Sequence, residues 1–336
     1  MIKVTITGSL DLAQFWPDGE SDADTTKLVV DVAPGAIRYQ LPGESAKSTS
    51  AYNGAFVKGF GQRNLVIDKG KMTVRLQGID APELHYQPQS MAKTKYKGKP
   101  LGSLAGSGLV KKYRQHQGET ATVRLGKYLQ TLGTSPLHCE FVTQLSDDQG
   151  PGDAIDKYGR FVGNIQVSSV DVNLEILRRG WAIVALYNSM QNAEIADCIS
   201  AGKVGLAATD GVLKYLTSTI GRFEPSLLYR KNGSIESEGT LKFIHPKIYR
   251  RQCTWWAYRK IGTFKSGLDT FLGLSKDDVF YETKDFLDNG RVVAIQIPLE
   301  KMVKDGKKVV YSPDQVVFKD APSTLYRDDG SPVTTW

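Results

Sequence analysis

The sequence predicts an α+β fold for about the first 215 residues, because strand-like and helix-like patterns occupy separate stretches. Apolar and polar residues alternate from Met1 to Thr7, which is typical of a strand with one buried face. Apolar residues recur at helical spacing only later, first at Ala121, Leu125 and Leu129. After Tyr215 the chain changes to short strand-like runs broken by proline and glycine, which predicts a second, smaller unit.

The early strands are predicted from alternation and from the residues that end it. Residues 1–16 and 25–32 read as strands on either side of the turn-rich stretch Pro17–Asp24. Alternation returns over Met72–Ile79 and stops at Pro82, since proline cannot donate a hydrogen bond to a strand ladder. This strand therefore delivers charged residues to its end.

Two insertions interrupt this part of the chain. Residues of about 33–71 are rich in glycine, serine, tyrosine and lysine with weak periodicity, which predicts an insertion carrying a short hairpin. Residues 84–117 hold seven lysines and arginines, four glycines and no acidic residue, which predicts a long basic loop.

Helices follow the insertions. Helical spacing predicts a helix over Glu119–Leu132 with Gly133 as its C-cap. Two shorter helices are predicted over Val172–Arg179 and Gln191–Ala201, ended by Gly180 and Gly202. The strands predicted between them are Leu137–Leu145 and Phe161–Val167.

These patterns divide the chain into residues 1–215 and residues 222–336. The second unit is expected to be β-rich or α+β, and its role is open between binding nucleic acid and binding a partner. The runs that predict its strands are Leu241–Ile244, Val292–Ile297, Val309–Tyr311 and Val316–Phe318.

The composition is that of a globular protein and excludes several classes. Hydrophobic residues make up 40% and charged residues 24%, so disorder and coiled coil are not expected. The net charge of +7 fits an anionic partner but also fits many proteins without one. Three widely spaced cysteines suggest neither a disulfide framework nor a zinc site.

The sequence leaves the location of the protein open. It shows no apolar stretch near the ~18 residues that span a bilayer, so no membrane span is expected. It also shows no signal peptide, so the protein is cytoplasmic or is exported by a leader or route not visible in this chain.

Three segments together supply carboxylates and two arginines: Asp22–Thr25, Arg75–Glu83 and Asp156–Arg160. Carboxylates at a bend are usually solvated, but Arg75 lies inside an apolar strand, where only a carboxylate or a phosphate matches its donors bidentately. Carboxylates can bind Ca²⁺ or Mg²⁺ and deprotonate water, and guanidinium groups can neutralise a phosphorane. The set therefore suits hydrolysis of a phosphodiester.

These residues resemble the staphylococcal nuclease family over about residues 1–210. The resemblance rests on Val74–Glu83, Asp156–Arg160, Val172–Gly180 and Asp22–Thr25, which match family motifs in order and type. It implies an OB-like five-stranded β-barrel with three helices. It also implies Ca²⁺-dependent hydrolysis of DNA and/or RNA that leaves 3′-phosphate and 5′-hydroxyl ends, with Mg²⁺ or another divalent cation as the alternative cofactor.

The resemblance assigns a role to each matching position. It implies side-chain metal ligands at Asp24 and Asp80, a backbone carbonyl ligand at Ala81, and a supporting carboxylate at Asp22. It implies catalytic roles for Arg75, which bridges phosphate oxygens, Glu83, the general base, and Arg160, which stabilises the transition state and the departing 5′-oxygen. It places Lys157 and Tyr158 at the 5′-phosphate edge of the bound nucleotide. Ala23 and Ala81 depart from the family pattern, where glycine and threonine are usual.

Two alternatives stay open. The first part is either an enzyme or a catalytically inactive nuclease-fold module that binds nucleic acid or a protein partner. In the second part, basic and aromatic residues alternate over Leu241–Lys265, which suits either single-strand binding or an amphipathic element with a solvated basic face. The candidate nucleic-acid contacts are Arg250, Arg251, Trp255, Trp256, Arg259 and Lys260. A protein partner or inhibitor that binds the second part is a further alternative.

Overall fold

The computed structural model describes residues 1–59, 62–233, 239–289 and 293–336. Within these ranges there are 21 strands and six α-helices. The strands are β1 Ile2–Leu10, β2 Thr25–Val30, β3 Ile37–Gln40, β4 Lys47–Ser48, β5 Phe56–Gly59, β6 Gln62–Leu65, β7 Ile67–Asp68, β8 Lys71–Leu76, β9 Gly78–Asp80, β10 Lys95–Tyr96, β11 Lys99–Pro100, β12 Leu137–Leu145, β13 Phe161–Val167, β14 Val170–Asp171, β15 Ile183–Tyr187, β16 Val279–Glu282, β17 Ile297–Pro298, β18 Val303–Lys304, β19 Lys308–Val309, β20 Val316–Phe318 and β21 Leu325–Tyr326. The helices are α1 Gly118–Leu132, α2 Val172–Arg178, α3 Asn192–Leu206, α4 Pro246–Lys260, α5 Leu268–Leu272 and α6 Thr283–Asn289.

Five strands close into a barrel in the order β12, β13, β8, β2, β1 and back to β12. The longest pairing is antiparallel and joins β1 to β12 from Ile2↔Leu145 to Leu10↔Leu137. One pairing, between β13 and β8, is parallel, and the others in the ring are antiparallel. The inward positions of β1 are buried at every second residue, as the alternation predicts. The predicted α+β fold with an OB-like five-stranded barrel is confirmed.

The three helices predicted for the first part are also present, and α2 is fastened to the barrel by one polar side chain. The Asn173 amide nitrogen donates to the Gln77 carbonyl at 2.8 Å and to the Gly163 carbonyl at 3.1 Å, while its oxygen accepts from Ile165 N–H at 3.2 Å. Since Asn173 is buried, these bonds satisfy groups that water cannot reach. They join α2 to β13 and to the turn after β8.

Helix α3 runs beyond its predicted end at Ala201 and continues to Leu206. Gly202 was predicted to end the helix, but in the structure it lies inside α3 at a packing contact. A Cβ at Gly202 would overlap the Val184 side chain of β15, and one at Gly205 would overlap the Leu177 carbonyl oxygen of α2. The glycines therefore let α3 approach its neighbours closely, which outweighs their low helix propensity.

Substitution Gly205→Ala is expected to lower the free energy of unfolding by about 1–3 kcal/mol, because the added methyl overpacks the contact between α3 and α2. Gly126→Ala in α1 is the matched control, since a Cβ there would lie 3.9 Å from the Phe15 Cβ with no closer neighbour. The control should be neutral or slightly stabilising. Urea denaturation measures both, and equal effects of the two substitutions would contradict the packing argument.

The chain after residue 222 shares a sheet with the chain before it. The second sheet has the order β17, β16, β20, β15, β9, so strands from both parts lie side by side. Leu186 of β15 pairs with Val317 of β20, and Leu325 of β21 pairs with Val57 of β5. The main hydrophobic core accordingly includes Phe243 and Phe286. The division into two domains stays a prediction, whereas the shared sheet is a feature of the structure.

The basic loop of 84–117 packs on the later part of the chain. It contains the hairpin β10–β11, and its buried Leu101 and Leu104 pack with Tyr258 and Phe271 in a separate apolar cluster. Tyr258 accepts from Met91 N–H at 2.6 Å. Apolar residues that are widely spaced in the loop therefore attach it to α4 and α5.

The predictions for the second part had mixed outcomes. Val316–Phe318 is a strand, as predicted, and Val309 lies in β19. Leu241–Ile244 is not a strand, and that prediction is wrong. The chain there leads into α4, whose first residue is Pro246, a residue well suited to the first turn of a helix. The predicted strand Val292–Ile297 begins at Val292, outside the described residues.

None of the helices in the described ranges has the length and apolarity needed to cross a membrane.

Candidate active site

Strand pairing brings the three carboxylate and arginine segments to one end of the barrel. Thr25 at the start of β2 pairs with Arg75 of β8, so Asp24 lies directly beside that arginine. On the side of β8 opposite β2, Phe161 of β13 pairs in parallel with Val74. Arg160, which directly precedes β13, therefore lies beside the same strand. The chain then passes from β8 into β9, which ends at Asp80.

Arg75 is the centre of the buried part of the site. Its guanidinium forms ion pairs with Asp24 and with Asp80, the second through Nη2 and Oδ1 at 2.8 Å. Nη2 also donates to the Ile79 carbonyl at 3.3 Å. Its side chain is 12% exposed, and the two carboxylates supply the partners that a buried arginine requires.

The two aspartates of the first segment are held by local hydrogen bonds. Asp24 Oδ2 accepts from Ala81 N–H at 2.7 Å and Oδ1 accepts from the Thr25 hydroxyl at 3.0 Å. Asp22 Oδ1 accepts from Thr25 N–H at 2.7 Å and Asp24 N–H at 3.2 Å. Burial raises the pKa of Asp22 to about 7, and the neighbouring Asp24 carboxylate acts in the same direction. Asp22 thus orders the turn that carries Asp24.

Arg160 approaches the same turn from the barrel strand β13. Its Nε and Nη2 donate to Asp156 Oδ2 at 2.8 and 2.7 Å, and Nη1 donates to the Thr25 hydroxyl at 3.3 Å. The guanidinium also lies 5.2 Å from the centre of the exposed Tyr158 ring. Lys157 Nζ is 5.2 Å from the same ring. Lys157 and Tyr158 therefore form the solvent-exposed edge of the site.

A residue from the second part of the chain completes the site. Arg250 of α4 donates through Nη1 and Nη2 to the two Asp80 oxygens at 3.1 and 3.0 Å. The same Nη1 donates to Glu83 Oε1. Burial alone would raise the pKa of Asp80, but Arg250 and Arg75 hold that pKa well below its usual range. Asp80 is thus a buried carboxylate between two guanidinium groups.

Glu83 is positioned by its backbone as well as by Arg250. Its N–H donates to the Gln115 side-chain oxygen at 3.0 Å, and its carbonyl accepts from Gln115 N–H at 2.7 Å. Gln115 Nε2 in turn donates to the Ile244 carbonyl at 2.9 Å. Burial raises the pKa of Glu83, aided by Asp80 and Asp24 and opposed by Arg250. A carboxylate with a raised pKa is a better proton acceptor.

The arrangement does not fit a divalent cation. Ca²⁺ takes about 6–8 oxygen ligands. In this site both oxygens of Asp24, both oxygens of Asp80 and one of Glu83 accept from N–H or O–H donors of the protein. Across the described ranges, no three His, Cys, Asp or Glu side chains are grouped to hold a metal. The carboxylates have the right chemistry for Ca²⁺, but arginines occupy their oxygens.

The other residues suggested as nucleic-acid contacts lie along α4, away from the carboxylates. Arg251 pairs with Asp278. Trp255 donates to the Ser266 carbonyl at 3.1 Å, and the Trp256 ring centre is 4.9 Å from that of Phe223. Arg259 and Lys260 are exposed. Both tryptophans pack partly against apolar clusters, and their contact with nucleic acid stays a prediction.

Sequence reasoning placed Arg250 on a nucleic-acid surface and missed its contact with Asp80 and Glu83. It also gave no role to Gln115. One signal was available for Arg250. Leu241–Lys265 contains seven basic residues and no acidic one, so a buried basic side chain in this stretch needs a carboxylate from another part of the chain. No comparable signal singles out Gln115, because glutamine is common in loops.

His245 at the N-cap of α4 gives the site region a pH-dependent stability. Its Nδ1 accepts from Lys247 N–H at 3.2 Å, and burial lowers its pKa to about 4. An unfolded histidine titrates near ~6.5, so between these pH values the unfolded state binds more protons. This contribution is complete above pH ~6.5 and is lost as the pH falls towards the folded pKa.

Substitution His245→Asn, which keeps a capping acceptor, is expected to reduce the loss of stability between pH 7 and pH 5 by on the order of 1–2 kcal/mol. Urea denaturation at the two pH values measures the difference. His138→Asn changes an exposed histidine and serves as the control. An unchanged pH dependence in His245→Asn would refute the assignment.

Comparison with known proteins agrees with this geometry. A family model described as staphylococcal nuclease homologue matches residues 73–203, which include Arg75, Asp80, Glu83 and Arg160. The second part of the chain has no family match. No curated protein matches the chain significantly. A match to this family indicates a nuclease-type or nucleic-acid-binding module. Residues 73–203 of the chain are therefore similar to the staphylococcal nuclease family.

Proposed function

We propose that the protein is a nuclease that hydrolyses phosphodiester bonds in DNA and/or RNA. The observation that carries the proposal is the meeting of Arg75 and Arg160 at adjacent residues of one turn, where Arg75 contacts Asp24 and Arg160 contacts Thr25. Two guanidinium groups at one place suit a phosphate, because each presents a planar fork of donors. Glu83 belongs to the same cluster, because Arg250 pairs with both Glu83 and Asp80.

Each of these residues has a role in the proposed reaction. Glu83 accepts a proton from water, and the water oxygen forms a bond to phosphorus. The phosphorus–O5′ bond breaks, and the departing oxygen takes a proton from solvent, which leaves 3′-phosphate and 5′-hydroxyl ends. Glu83 then returns its proton to solvent. Arg75 and Arg160 stabilise the negative charge that develops on the phosphoryl oxygens, and Arg160 also stabilises the departing oxygen.

The exposed edge of the site supports binding of a nucleotide chain. Lys157 and Tyr158 are exposed and lie beside Arg160, so a phosphate at Arg160 places its neighbouring nucleotide near both. Electrostatic attraction from Lys157 would act on the backbone phosphate and is independent of base sequence. We therefore assign these two residues to substrate binding, with no preference among bases.

Calcium dependence rests on the resemblance alone, because arginines engage Asp24 and Asp80 in this structure. The proposed chemical steps use no cation, and cleavage assays with and without a divalent cation decide whether one is needed.

The alternative is a catalytically inactive module that binds nucleic acid or a protein partner. The presence of Asp24, Asp80, Glu83, Arg75 and Arg160 in one cluster supports an enzyme, because a binding module needs no general base. Binding without cleavage is the outcome that favours the module.

The test is incubation of the purified full chain with plasmid DNA and with RNA, in Ca²⁺, in Mg²⁺ and in chelator. We expect cleavage to products whose 5′ ends accept phosphate from a kinase without prior dephosphorylation. Loss of cleavage in chelator is the result that the resemblance predicts. Cleavage unaffected by chelation would remove the cation from the proposal. Retention of intact nucleic acid under all conditions, with measurable binding, would replace the enzyme by a binding module.

A further inference from the structure

The basic loop of 84–117 and the far end of α4 meet in one region of the surface. Neither residues 84–117 nor residues 241–265 include an acidic residue. The two stretches pack on each other through the apolar cluster that contains Leu101, Leu104 and Tyr258. Six of their exposed basic side chains are called the basic face here: Lys95, Lys97, Lys99, Arg259, Lys260 and Lys265.

Ser266 holds the segments of the basic face together. Its hydroxyl forms a hydrogen bond with the hydroxyl of Tyr96, in β10, at 2.5 Å. Its carbonyl accepts from Trp255 Nε1, in α4, at 3.1 Å. The Tyr96 ring centre also lies 4.5 Å from that of Phe264. The hairpin β10–β11, the end of α4 and the chain after it are therefore fixed against one another.

The basic side chains are neighbours of these contact residues. Lys95 and Lys97 lie on either side of the anchored tyrosine, and Lys265 directly precedes the anchored serine. The Arg259 guanidinium lies 5.2 Å from the ring centre of the anchored tryptophan. Within the described ranges, no ion pair joins any residue of the basic face to a carboxylate. Like charges so placed repel one another, and a bound polyanion removes that repulsion.

The tip of the hairpin carries a lysine where the backbone favours asparagine or glycine. Lys97 has a φ of 50° and Gly98 a φ of 78°. Two-residue hairpin turns with two positive φ angles favour Asn-Gly, because larger side chains are strained at the first position. The turn itself gives no reason for lysine, whereas contact with an anion does.

The basic face continues from the edge of the candidate active site. Gln89 Nε2 lies 3.5 Å from the Tyr158 hydroxyl, so the loop starts beside the exposed edge of the site. On α4, Arg250 and Arg259 are nine positions apart, which is about 14 Å along the helix. One strand of a duplex advances ~3.4 Å per phosphate, so about four phosphates span this distance.

We propose that the basic face binds the phosphate backbone of the substrate nucleic acid outside the bond that is cleaved. Its side chains release counterions from the phosphates and read no base sequence. The inference rests on the proposed function in naming the substrate as the bound chain. It keeps Arg259 and Lys260 as nucleic-acid contacts, adds the hairpin lysines, and leaves out Arg250 and Arg251, whose charges are paired with carboxylates.

The experiment measures the Kd of a fluorescent single strand of about 30 nucleotides by anisotropy over a range of salt concentrations. The protein is the full chain with Glu83→Gln, so that the strand stays intact. In this background, Lys95→Gln/Lys99→Gln/Lys260→Gln/Lys265→Gln should bind at least about tenfold more weakly at low salt. The slope of log Kd against log salt should fall by about 3, because each phosphate contact with a single strand contributes ~0.7.

The matched control removes four exposed lysines from β2, β8, α1 and α3: Lys27→Gln/Lys71→Gln/Lys127→Gln/Lys203→Gln. It lowers the net charge by the same amount and should keep most of the affinity and of the salt slope. Equal weakening in both variants would reduce the effect to net charge and overturn the inference. If the fourfold variant does not fold, Lys95→Gln and Lys265→Gln alone should each lower the slope by ~0.7.

Cleavage by the chain with Glu83 intact separates this inference from the proposed function. The fourfold variant should raise KM for the long strand at least about tenfold and have a smaller effect on a strand of about four nucleotides. Cleavage with an unchanged KM for the long strand would overturn the inference and leave the nuclease proposal standing. Absence of cleavage in every protein would remove the nuclease proposal, and the anisotropy result would still judge the basic face. Binding of phosphatidylserine vesicles without binding of the strand would assign the face to a membrane instead.

Discussion

Substitution of Glu83 by glutamine is expected to lower the rate of phosphodiester cleavage by about 10²- to 10⁴-fold, the usual contribution of a general base. Glutamine has nearly the same shape and still offers an oxygen to Arg250, but it cannot accept the proton from water. The backbone bonds between Glu83 and Gln115 do not involve the altered group, so the loop should keep its place. Measurement of kcat on a nucleic-acid substrate, with circular dichroism to verify folding, tests this expectation.

Glu44→Gln is the matched control, since Glu44 is an exposed carboxylate paired with Lys47 in the insertion of 33–71. It should leave kcat unchanged. The pH dependence adds a second criterion: the acidic limb of the wild-type profile should disappear with Glu83, because it reports ionisation of the base. A Glu83→Gln protein with wild-type kcat and the same acidic limb would exclude Glu83 from proton transfer.

The part of the site that the sequence could predict is the part made by local pairing. Arg75 in an apolar strand required a carboxylate, and the register between β2 and β8 supplies Asp24, while the end of β9 supplies Asp80. Apolar and polar residues alternate along β1 and β12 in the sequence, and these two strands pair along their whole length in the barrel. These features depend on short stretches whose pattern is set by one buried face.

The part that could not be predicted depends on contacts between distant stretches. Arg250 reaches Asp80 across 170 positions of sequence, and nothing in Leu241–Lys265 states which acid it pairs with. The same holds for the pairing of Leu186 with Val317, because a short apolar run does not specify its neighbour in a sheet. Gly202 misled the helix prediction for a related reason, since it packs closely against the Val184 side chain of β15.

Substitution Arg160→Lys is expected to lower kcat by about 10²- to 10³-fold, the usual effect of removing one preorganised donor from a transition state. Lysine keeps the charge but loses the planar fork that bonds to Asp156 through two nitrogens and to Thr25 through a third. The loss should fall mainly on kcat, with a smaller change in KM, because the guanidinium acts on charge that develops during the reaction.

Arg178→Lys, on α2, is the control, since Arg178 forms its ion pair with Glu175 one turn away on the same helix. A change in KM alone for Arg160→Lys would reassign Arg160 to ground-state binding of the phosphate. The double variant Glu83→Gln/Arg160→Lys separates two further cases. If the base and the arginine act on one transition state as a unit, the double variant should be only slightly less active than the less active of the two single variants. Multiplied losses would mean that proton transfer and charge stabilisation contribute independently.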